Sequence, residues 1–446
     1  MTGFGKPAPF AGGKGVRRTG PEPWRLLRAG TLAALAAALA ACGGGSDGDN
    51  RGSVDSVTQT AALSRAAVDA SVAANPGLVQ LIGAASQCDV TQHKLVYDSV
   101  DPHGDGARAS AGLYIPSGCP GPYPVLVYHH GTTVDKAFTM SSPQNGEAGL
   151  QLAMFAAQGY VVVMPDYLGY GDSTLGWHPY LHAENTAQVS IDALRAARTV
   201  LSRNGVATSG RLFLAGYSQG GHAAMATHRA MERDHAGEFT VTAAVPMSGP
   251  YALEETFIAG IPNPGQGATV FTAMTFTGYQ KAYGDIYSKP EDMFRAPWVT
   301  GIEDLLPGTL SFTQLYTTGK VPLGTTGPGG LLTEAFVSAF AADPAFPARK
   351  RLRENTLLDW KPAAPVALCA GARDPTVTFD NVITAAGYFG SQGVQVTPVD
   401  VEQVPAFQPT IAAQVAAAPD LSTYHGGIVP PLCVSFAKNQ FFDPRK

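Results

Sequence analysis

Residues 216–220, GYSQG, hold a serine in a setting that suits nucleophilic chemistry. The pentapeptide follows an apolar run at residues 211–215 and precedes a stretch of helical character at residues 221–229. A Gly-x-Ser-x-Gly between a strand and a helix is typical of a nucleophile elbow. Its two glycines permit a turn that is too tight for a Cβ atom, and the helix N-terminus favours developing negative charge. The pattern predicts Ser218 as the nucleophile of an acyl transfer.

Chain order points to a general base. On a sheet that carries such an elbow, the order is Ser, then Asp or Glu, then His. Of the ten histidines, four follow Ser218, and three of these (His222, His228 and His235) lie on or just after the elbow helix. His425, in a loop-like stretch near the C-terminus, remains. We expect it to take the Ser218 proton and return it to the leaving group.

The acid of the triad is predicted at Asp374. This residue directly follows a buried strand candidate at residues 365–370, whereas the reserve candidate, Asp380, lies farther from the strand end. We expect Asp374 to fix the imidazole tautomer and to stabilise the imidazolium. The alternative is that Asp374 only closes a turn before Pro375.

An oxyanion hole is expected from the loop after an earlier strand. The strand candidate at residues 124–128 is followed by HHGTT, residues 129–133. The His-Gly step lets backbone N–H groups turn toward the serine. We expect the donors to be the amides of Thr132 and Gln219, with Thr133 as an alternative.

Two pairs of histidines raise the question of a metal. His129 and His130 are adjacent, and adjacent side chains on a strand point to opposite sides. His178 and His182 are separated by Pro179 among others, which interrupts a helix through the pair. We therefore expect no metal. We also expect no cofactor, because a triad supplies both nucleophile and base.

Strands and helices alternate around these residues. Strands are expected at residues 161–164, 212–215 and 241–245, and helices at residues 147–158 and 184–203. Two earlier strands, near Lys94 and Ala111, are expected to form an antiparallel edge. This pattern predicts an α/β fold with a mostly parallel central sheet and helices on both faces. From residue 252 to residue 360 the alternation stops, and Gly, Pro, Thr and aromatic residues dominate.

Together these segments resemble the α/β-hydrolases of the lipase/esterase type, in particular the secretory lipase-like esterases of bacteria and fungi with their GYSQGG elbow. Residues 161–171, VVVMPDYLGYG, resemble that family's strand and Pro-Asp-Tyr loop, and residues 360–362, WKP, resemble its approach to the acid. The resemblance covers roughly residues 90–435. It implies an α/β-hydrolase fold with a cap inserted over the active site. Relatives often carry Val-Pro after the acid, whereas here Thr378 follows Val377, so substrate contacts near the acid are not carried over.

The N-terminal residues are typical of an export signal. Arg25 and Arg28 precede an apolar stretch at residues 29–41, as in a secretory signal peptide. The sequence LAAC at residues 39–42 resembles the bacterial lipobox, which implies lipidation of Cys42 and anchoring to a membrane. Gly43 resembles the residue found in outer-membrane lipoproteins. We expect an outer-membrane or periplasm-facing lipoprotein, and simple secretion is the alternative.

The resulting domain organisation has five parts. They are a signal peptide (1–41), a flexible tether (42–60), the first part of the hydrolase core (61–251), a cap insertion (252–360) and the second part of the core (361–446). Four cysteines remain after Cys42, and three disulfide connectivities are possible. The fold that the resemblance implies favours the local pairs, Cys88 with Cys119 and Cys369 with Cys433.

Charge and composition restrict the partners. Removing residues 1–41 takes away six basic residues and one acidic residue, which leaves 24 basic and 34 acidic residues. No basic tract survives, which argues against nucleic acid as a partner. We expect a monomer that acts on a small-molecule ester or lipid.

Three functions follow from these residues. The first is hydrolysis of carboxylic esters through an acyl-enzyme. The second is an exopeptidase or amidase with the same triad, although no acidic cluster in residues 252–360 suggests a site for a substrate amine. The third is a non-catalytic binding lipoprotein, against which the complete set of Ser218, Asp374 and His425 argues.

Overall fold

The computed structural model describes residues 50–446, and a nine-stranded sheet runs through them. The strands are β1 (Val54–Leu63), β2 (Asp89–Val100), β3 (Gly106–Ser117), β4 (Tyr123–His129), β5 (Val161–Pro165), β6 (Thr208–Tyr217), β7 (Ala243–Met247), β8 (Ala367–Ala370) and β9 (Thr397–Asp400). Their order across the sheet is β1-β2-β3-β5-β4-β6-β7-β8-β9. The first three strands pair antiparallel, as does β3 with β5, and the remaining pairs are parallel. The predicted mostly parallel sheet with an antiparallel edge is confirmed.

The described residues also form thirteen α-helices, some of which cover the two faces of the sheet. They are α1 (Arg65–Ala73), α2 (Pro76–Ile82), α3 (Gly146–Met154), α4 (Ala183–Arg203), α5 (Gln219–Arg233), α6 (Leu253–Gly260), α7 (Ala268–Tyr283), α8 (Phe312–Thr317), α9 (Glu334–Ala342), α10 (Pro347–Glu354), α11 (Asp380–Ser391), α12 (Gln408–Ala417) and α13 (Val429–Phe436). Successive side chains of a strand point to opposite faces. Accordingly, Leu126 of β4 packs in one hydrophobic cluster with α3 and α13, and its neighbour Val127 packs in another with α4 and α11.

Of the parallel strands, β5, β7 and β8 are buried along their whole length, and they are continuously apolar. All five residues of β5 are buried, as are all four of β8. Strands covered by helices on both sides have this character, because neither face meets water. The loops that follow β4, β6 and β8 leave the same edge of the sheet, where the carboxyl ends of parallel strands meet. Ser218, Asp374 and the predicted oxyanion loop follow these three strands, whereas His425 lies later in the chain, after β9 and α12.

Residues 252–360 form a helical insertion between β7 and β8 that contains α6 to α10. It has its own aromatic-rich hydrophobic cluster. The same cluster includes Val134, which follows β4, and Tyr180 and Leu181, which follow β5. The Tyr279 hydroxyl of α7 donates to the Leu181 carbonyl at 3.0 Å. The insertion therefore packs on loops at the carboxyl edge of the sheet, and its role as a cap stays a prediction.

The first described strand differs from the sequence-based expectation. A flexible tether was expected over residues 42–60, but β1 already begins at Val54 and pairs antiparallel with β2. Before it, the Arg51 guanidinium lies 3.0 Å from the fully buried carboxylate of Asp192. The tether prediction is wrong for residues 54–60, because the backbone there completes the hydrogen bonds of β2. The signal peptide (1–41) and Cys42 lie outside the described residues.

Two disulfides cross-link the chain, Cys88–Cys119 and Cys369–Cys433. These are the local pairs that the resemblance favoured. The second bond joins β8, just before Asp374, to α13, just after His425. Disulfides typically stabilise a fold by about 2–4 kcal/mol.

Among residues 50–446, no α-helix combines the length and the apolar character that a membrane-spanning helix needs.

Candidate active site

Ser218 lies at the sharp turn between β6 and α5. Its backbone has φ +59° and ψ −118°, a region that non-glycine residues rarely adopt. A Cβ on Gly216 would overlap the carbonyl oxygen of Gly220, and a Cβ on Gly220 would overlap the carbonyl oxygen of His129. Both glycines are therefore sterically required. The turn places the serine directly before the N-terminus of α5, where backbone N–H groups favour negative charge.

Ser218, His425 and Asp374 form a continuous hydrogen-bonded chain. The Ser218 Oγ lies 2.8 Å from the Nε2 of His425, and the Nδ1 of His425 lies 2.6 Å from the Oδ2 of Asp374. The three residues are only 8%, 9% and 4% exposed, respectively. With Nδ1–H donating to the carboxylate, Nε2 is free to accept the serine proton. The structure thus brings together the three residues that the sequence predicted.

The loop after β8 leaves one carboxylate oxygen of Asp374 available to His425. The other oxygen of Asp374, Oδ1, accepts from the amides of Thr376 at 2.9 Å and Val377 at 3.1 Å. Asp374 therefore closes a turn and contacts His425 at the same time, so the two sequence-based interpretations are compatible. The reserve candidate, Asp380, is exposed as the first residue of α11 and makes no hydrogen bond to His425.

The loop after β4 lies beside the elbow. The Gly131 amide donates to Glu147 Oε1 at 3.1 Å, and the Thr132 hydroxyl is hydrogen-bonded to that of Tyr180 at 2.7 Å. Within residues 50–446, the amides of Thr132 and Gln219 donate to no other group of the protein. Amides without a protein acceptor at this position suit an incoming oxyanion. Their role in an oxyanion hole stays a prediction, as does that of Thr133.

The side chain of Gln219 is fixed by His178. Its Nε2 lies 2.6 Å from the Nε2 of His178, whose Nδ1 lies 2.7 Å from the Leu168 carbonyl. Burial lowers the pKa of His178 to about 3, so the ring is neutral. Nδ1–H then donates to Leu168, and Nε2 accepts from Gln219. From the sequence, His178 was not expected to bind a metal, but its contact with Gln219, 41 residues later in the chain, was not predicted.

The other histidines of the two pairs also have structural partners. His129 Nδ1 lies 3.1 Å from the Ala215 carbonyl of the neighbouring strand, and burial lowers the pKa of His129 to about 4. His182 Nδ1 accepts from the Asn185 amide at 3.2 Å and caps the N-terminus of α4. Among residues 50–446, no group of three or more His, Cys, Asp or Glu side chains could hold a metal ion.

A buried carboxyl group supports the predicted oxyanion loop. Glu147 Oε1 accepts from the Tyr128 hydroxyl at 2.9 Å and from the Gly131 amide at 3.1 Å. Burial raises the pKa of Glu147 from 4.5 to about 7. The sequence showed only an acidic residue in the first turn of a helix, a common position that complements the helix dipole. Its contact with Gly131 became visible only in three dimensions.

This chain is similar to secretory lipases and to solved esterase structures. The family model described as secretory lipase matches residues 142–257. The rice cell wall degrading esterase LipA from Xanthomonas oryzae, in a ligand-bound form, is 33% identical over 89% of this chain and 100% of its own, with a TM-score of 0.79.

More distant structures share the architecture. A candidate hydrolase from Legionella pneumophila is 27% identical over 78% of this chain and 91% of its own, with a TM-score of 0.72. Candida antarctica lipase A in its closed state is 14% identical over 85% of this chain and 83% of its own, with a TM-score of 0.59, which shows the fold alone. No curated protein sequence matches this chain.

Substitutions at Asp374 and Asp380 should show which of the two carboxylates is the acid of the triad. We expect Asp374→Asn to lower ester turnover by up to about 10⁴-fold, because an amide can hold the wrong imidazole tautomer. Asp380→Asn is the control and should change turnover less than two-fold, since this carboxylate is exposed. Steady-state kinetics on a p-nitrophenyl ester would measure both. The reverse ranking would show that the acid is misassigned.

Glu147 should make the fold less stable as the pH rises. Below about pH 4.5 its carboxyl group is neutral in both the folded and the unfolded chain, and between 4.5 and about 7 the folded chain holds the proton more tightly. The free energy of unfolding should therefore fall across this window, by on the order of 3 kcal/mol from this group. Glu147→Gln keeps an acceptor for Tyr128 and Gly131 and should remove that fall.

Urea unfolding of both proteins at pH 5, 6, 7 and 8 would measure the effect of Glu147. The difference between variant and wild type isolates this residue from other titrating groups. A variant whose free energy of unfolding follows the same pH dependence as wild type would contradict the shifted pKa of Glu147.

Proposed function

We propose that this chain, which belongs to the lipase-like esterases of the α/β-hydrolase fold and is a carboxylic-ester hydrolase, cleaves its substrate through Ser218, His425 and Asp374. The observation that supports the proposal most is the hydrogen-bonded chain from Ser218 Oγ through His425 to Asp374. It lies on an elbow with a strained serine backbone. Strain at a single residue is typical of functional sites.

In the proposed reaction, Ser218 Oγ attacks the acyl carbon while His425 Nε2 takes its proton. Asp374 stabilises the resulting imidazolium, and His425 then gives the proton to the leaving alkoxide. The tetrahedral oxyanion would be held by the amides of Thr132 and Gln219. This step produces an alcohol and an acyl-enzyme. Water, deprotonated by His425, releases the acid and regenerates Ser218.

The substrate is a small-molecule ester, and its acyl and alcohol groups would be selected by the helical insertion. That insertion packs on the loops next to the site through an aromatic-rich cluster, and apolar pockets suit acyl or aryl groups. A panel of p-nitrophenyl esters from acetate to palmitate would define the preferred chain length. Aminoacyl p-nitroanilides in the same panel test the exopeptidase alternative. Because LipA is a cell-wall-degrading esterase, rice cell-wall material is a useful additional substrate.

The chain is exported, as its similarity to secretory lipases and its two disulfides indicate. We further propose that it is a lipoprotein. Residues 1–41 would be removed as a signal peptide, and the thiol of Cys42 would receive lipid. Two acyl chains on the thiol and a third, amide-linked chain would then hold the enzyme firmly on a membrane, because each buried CH₂ adds about 0.8 kcal/mol to the binding free energy. The polar, Gly-rich residues 43–53 would join this anchor to the catalytic fold.

Ser218→Ala should abolish turnover and leave the fold intact. We expect a loss on the order of 10⁶-fold, as for other serine triads. A fluorophosphonate should label the wild type on the peptide that contains Ser218 and should not label the variant. Ser209→Ala, an exposed serine on the same strand, serves as the matched control. Robust turnover by Ser218→Ala, or labelling on another peptide, would exclude the proposed nucleophile.

Cys42→Ser should prevent lipidation without changing the active site. Wild type should fractionate with membranes, whereas the variant should remain an uncut precursor or be released without lipid. Activity per folded molecule should be unchanged, because the described fold begins several residues later. Mass spectrometry of the mature N-terminal peptide decides the question. An unmodified Cys42, or a mature start well beyond it, would mean simple secretion.

A further inference from the structure

The residue before the nucleophile contacts the base. Tyr217 is the last residue of β6, and its side chain is buried. Its hydroxyl donates to the backbone carbonyl of His425 at 2.6 Å and lies 3.4 Å from the Nδ1 of the same residue. The two rings pack with their centroids 5.1 Å apart. Burial raises the pKa of Tyr217 well above its ordinary value, so the hydroxyl keeps its proton.

The His425 carbonyl needs this donor because a proline stands where its backbone amide donor would otherwise be. Residues Tyr424–Ile428 form a π-helix, in which an amide bonds to the carbonyl five residues earlier. Ile428 donates to Thr423 at 3.1 Å, and Val429 donates to Tyr424. The next amide in this series would belong to residue 430 and would donate to His425. Residues 430 and 431 are both proline and have no N–H. The Tyr217 hydroxyl takes the place of the missing amide.

A buried carbonyl without a partner costs free energy, so its donor determines where the backbone can lie. The donor here is adjacent in sequence to Ser218, whereas His425 is 207 residues away from that serine. Two adjacent residues at the end of β6 therefore serve the site. Ser218 is the proposed nucleophile, and Tyr217 holds the backbone of His425, the proposed base. We propose that the Tyr217 hydroxyl is a positioning group that keeps His425 Nε2 within hydrogen-bonding distance of Ser218, which rests on the proposed function.

Tyr217→Phe removes the hydroxyl and keeps the ring. The matched control is Tyr97→Phe, because the buried Tyr97 hydroxyl also donates to a backbone carbonyl, that of Val189 at 3.1 Å, away from the site. Both variants should lose a few degrees of Tm. Only Tyr217→Phe should lose kcat, by about 10- to 100-fold, with KM within about two-fold of wild type. Active sites are titrated with fluorophosphonate, so that rates refer to folded enzyme.

The rate of fluorophosphonate labelling gives an independent readout. It should fall in Tyr217→Phe by about the same factor as kcat, because the base must activate Ser218 in both reactions, and the end point should stay at one probe per chain. A kcat within two-fold of wild type, or equal losses of kcat in Tyr217→Phe and Tyr97→Phe, would overturn the proposal. Activity in Ser218→Ala would instead refute the proposed function, so the two failures are distinguishable.

A second variant tests whether the Tyr217 hydroxyl acts through the His425 carbonyl. Pro430→Ala restores an N–H at the position that would donate to His425. In the Tyr217→Phe background it should recover at least half of the lost kcat on a logarithmic scale. If Tyr217→Phe loses kcat and Pro430→Ala recovers none of it, the hydroxyl does not act through the His425 carbonyl, and the proposed route is wrong.

Discussion

Close packing between the turn at Ser218 and the end of β4 determines the geometry of the whole site. The space that side chains at Gly216 and Gly220 would need is filled by backbone of the elbow itself and of His129. This contact holds the serine in a backbone conformation that costs on the order of 1–3 kcal/mol. It also brings the loop after β4 next to Ser218, the proposed nucleophile. The conformation persists because the carboxyl-terminal ends of β4 and β6, which meet here, are buried and close-packed.

Tertiary links then bring Asp374 and His425, the proposed acid and base, to this fixed turn. The disulfide Cys369–Cys433 joins the strand before the acid loop to the helix after the base. On the outer side, Glu402 binds both the Arg373 guanidinium and the Tyr424 hydroxyl, which are the immediate neighbours of Asp374 and His425. On the inner side, Tyr217 binds the carbonyl of the base. Contacts on both sides of His425 limit where its imidazole can lie, as a pre-organised site requires.

The sequence predicted those parts of the site that depend on local pattern or chain order. Ser218 lies in a five-residue motif, Asp374 follows a strand end, and His425 is the last histidine of the chain. The alternation of strands and helices predicted the sheet. What the sequence could not predict are contacts between distant polar residues, such as Glu147 with Gly131. Strand β1 was also missed, because its polar, exposed residues look like a linker and become a strand only by pairing with β2.

Charge is distributed so that one histidine can act while its neighbours cannot. Burial lowers the pKa of His129 and His130 to about 4 and that of His178 to about 3, which keeps all three rings neutral near the site. A neutral ring adds no positive charge that would oppose an imidazolium at His425, the proposed base. The hydrogen bonds of these rings go to backbone, hydroxyl and amide groups, whereas His425 joins a carboxylate to the serine. Burial therefore keeps three histidines near the site as neutral structural groups, which leaves His425 as the proposed base.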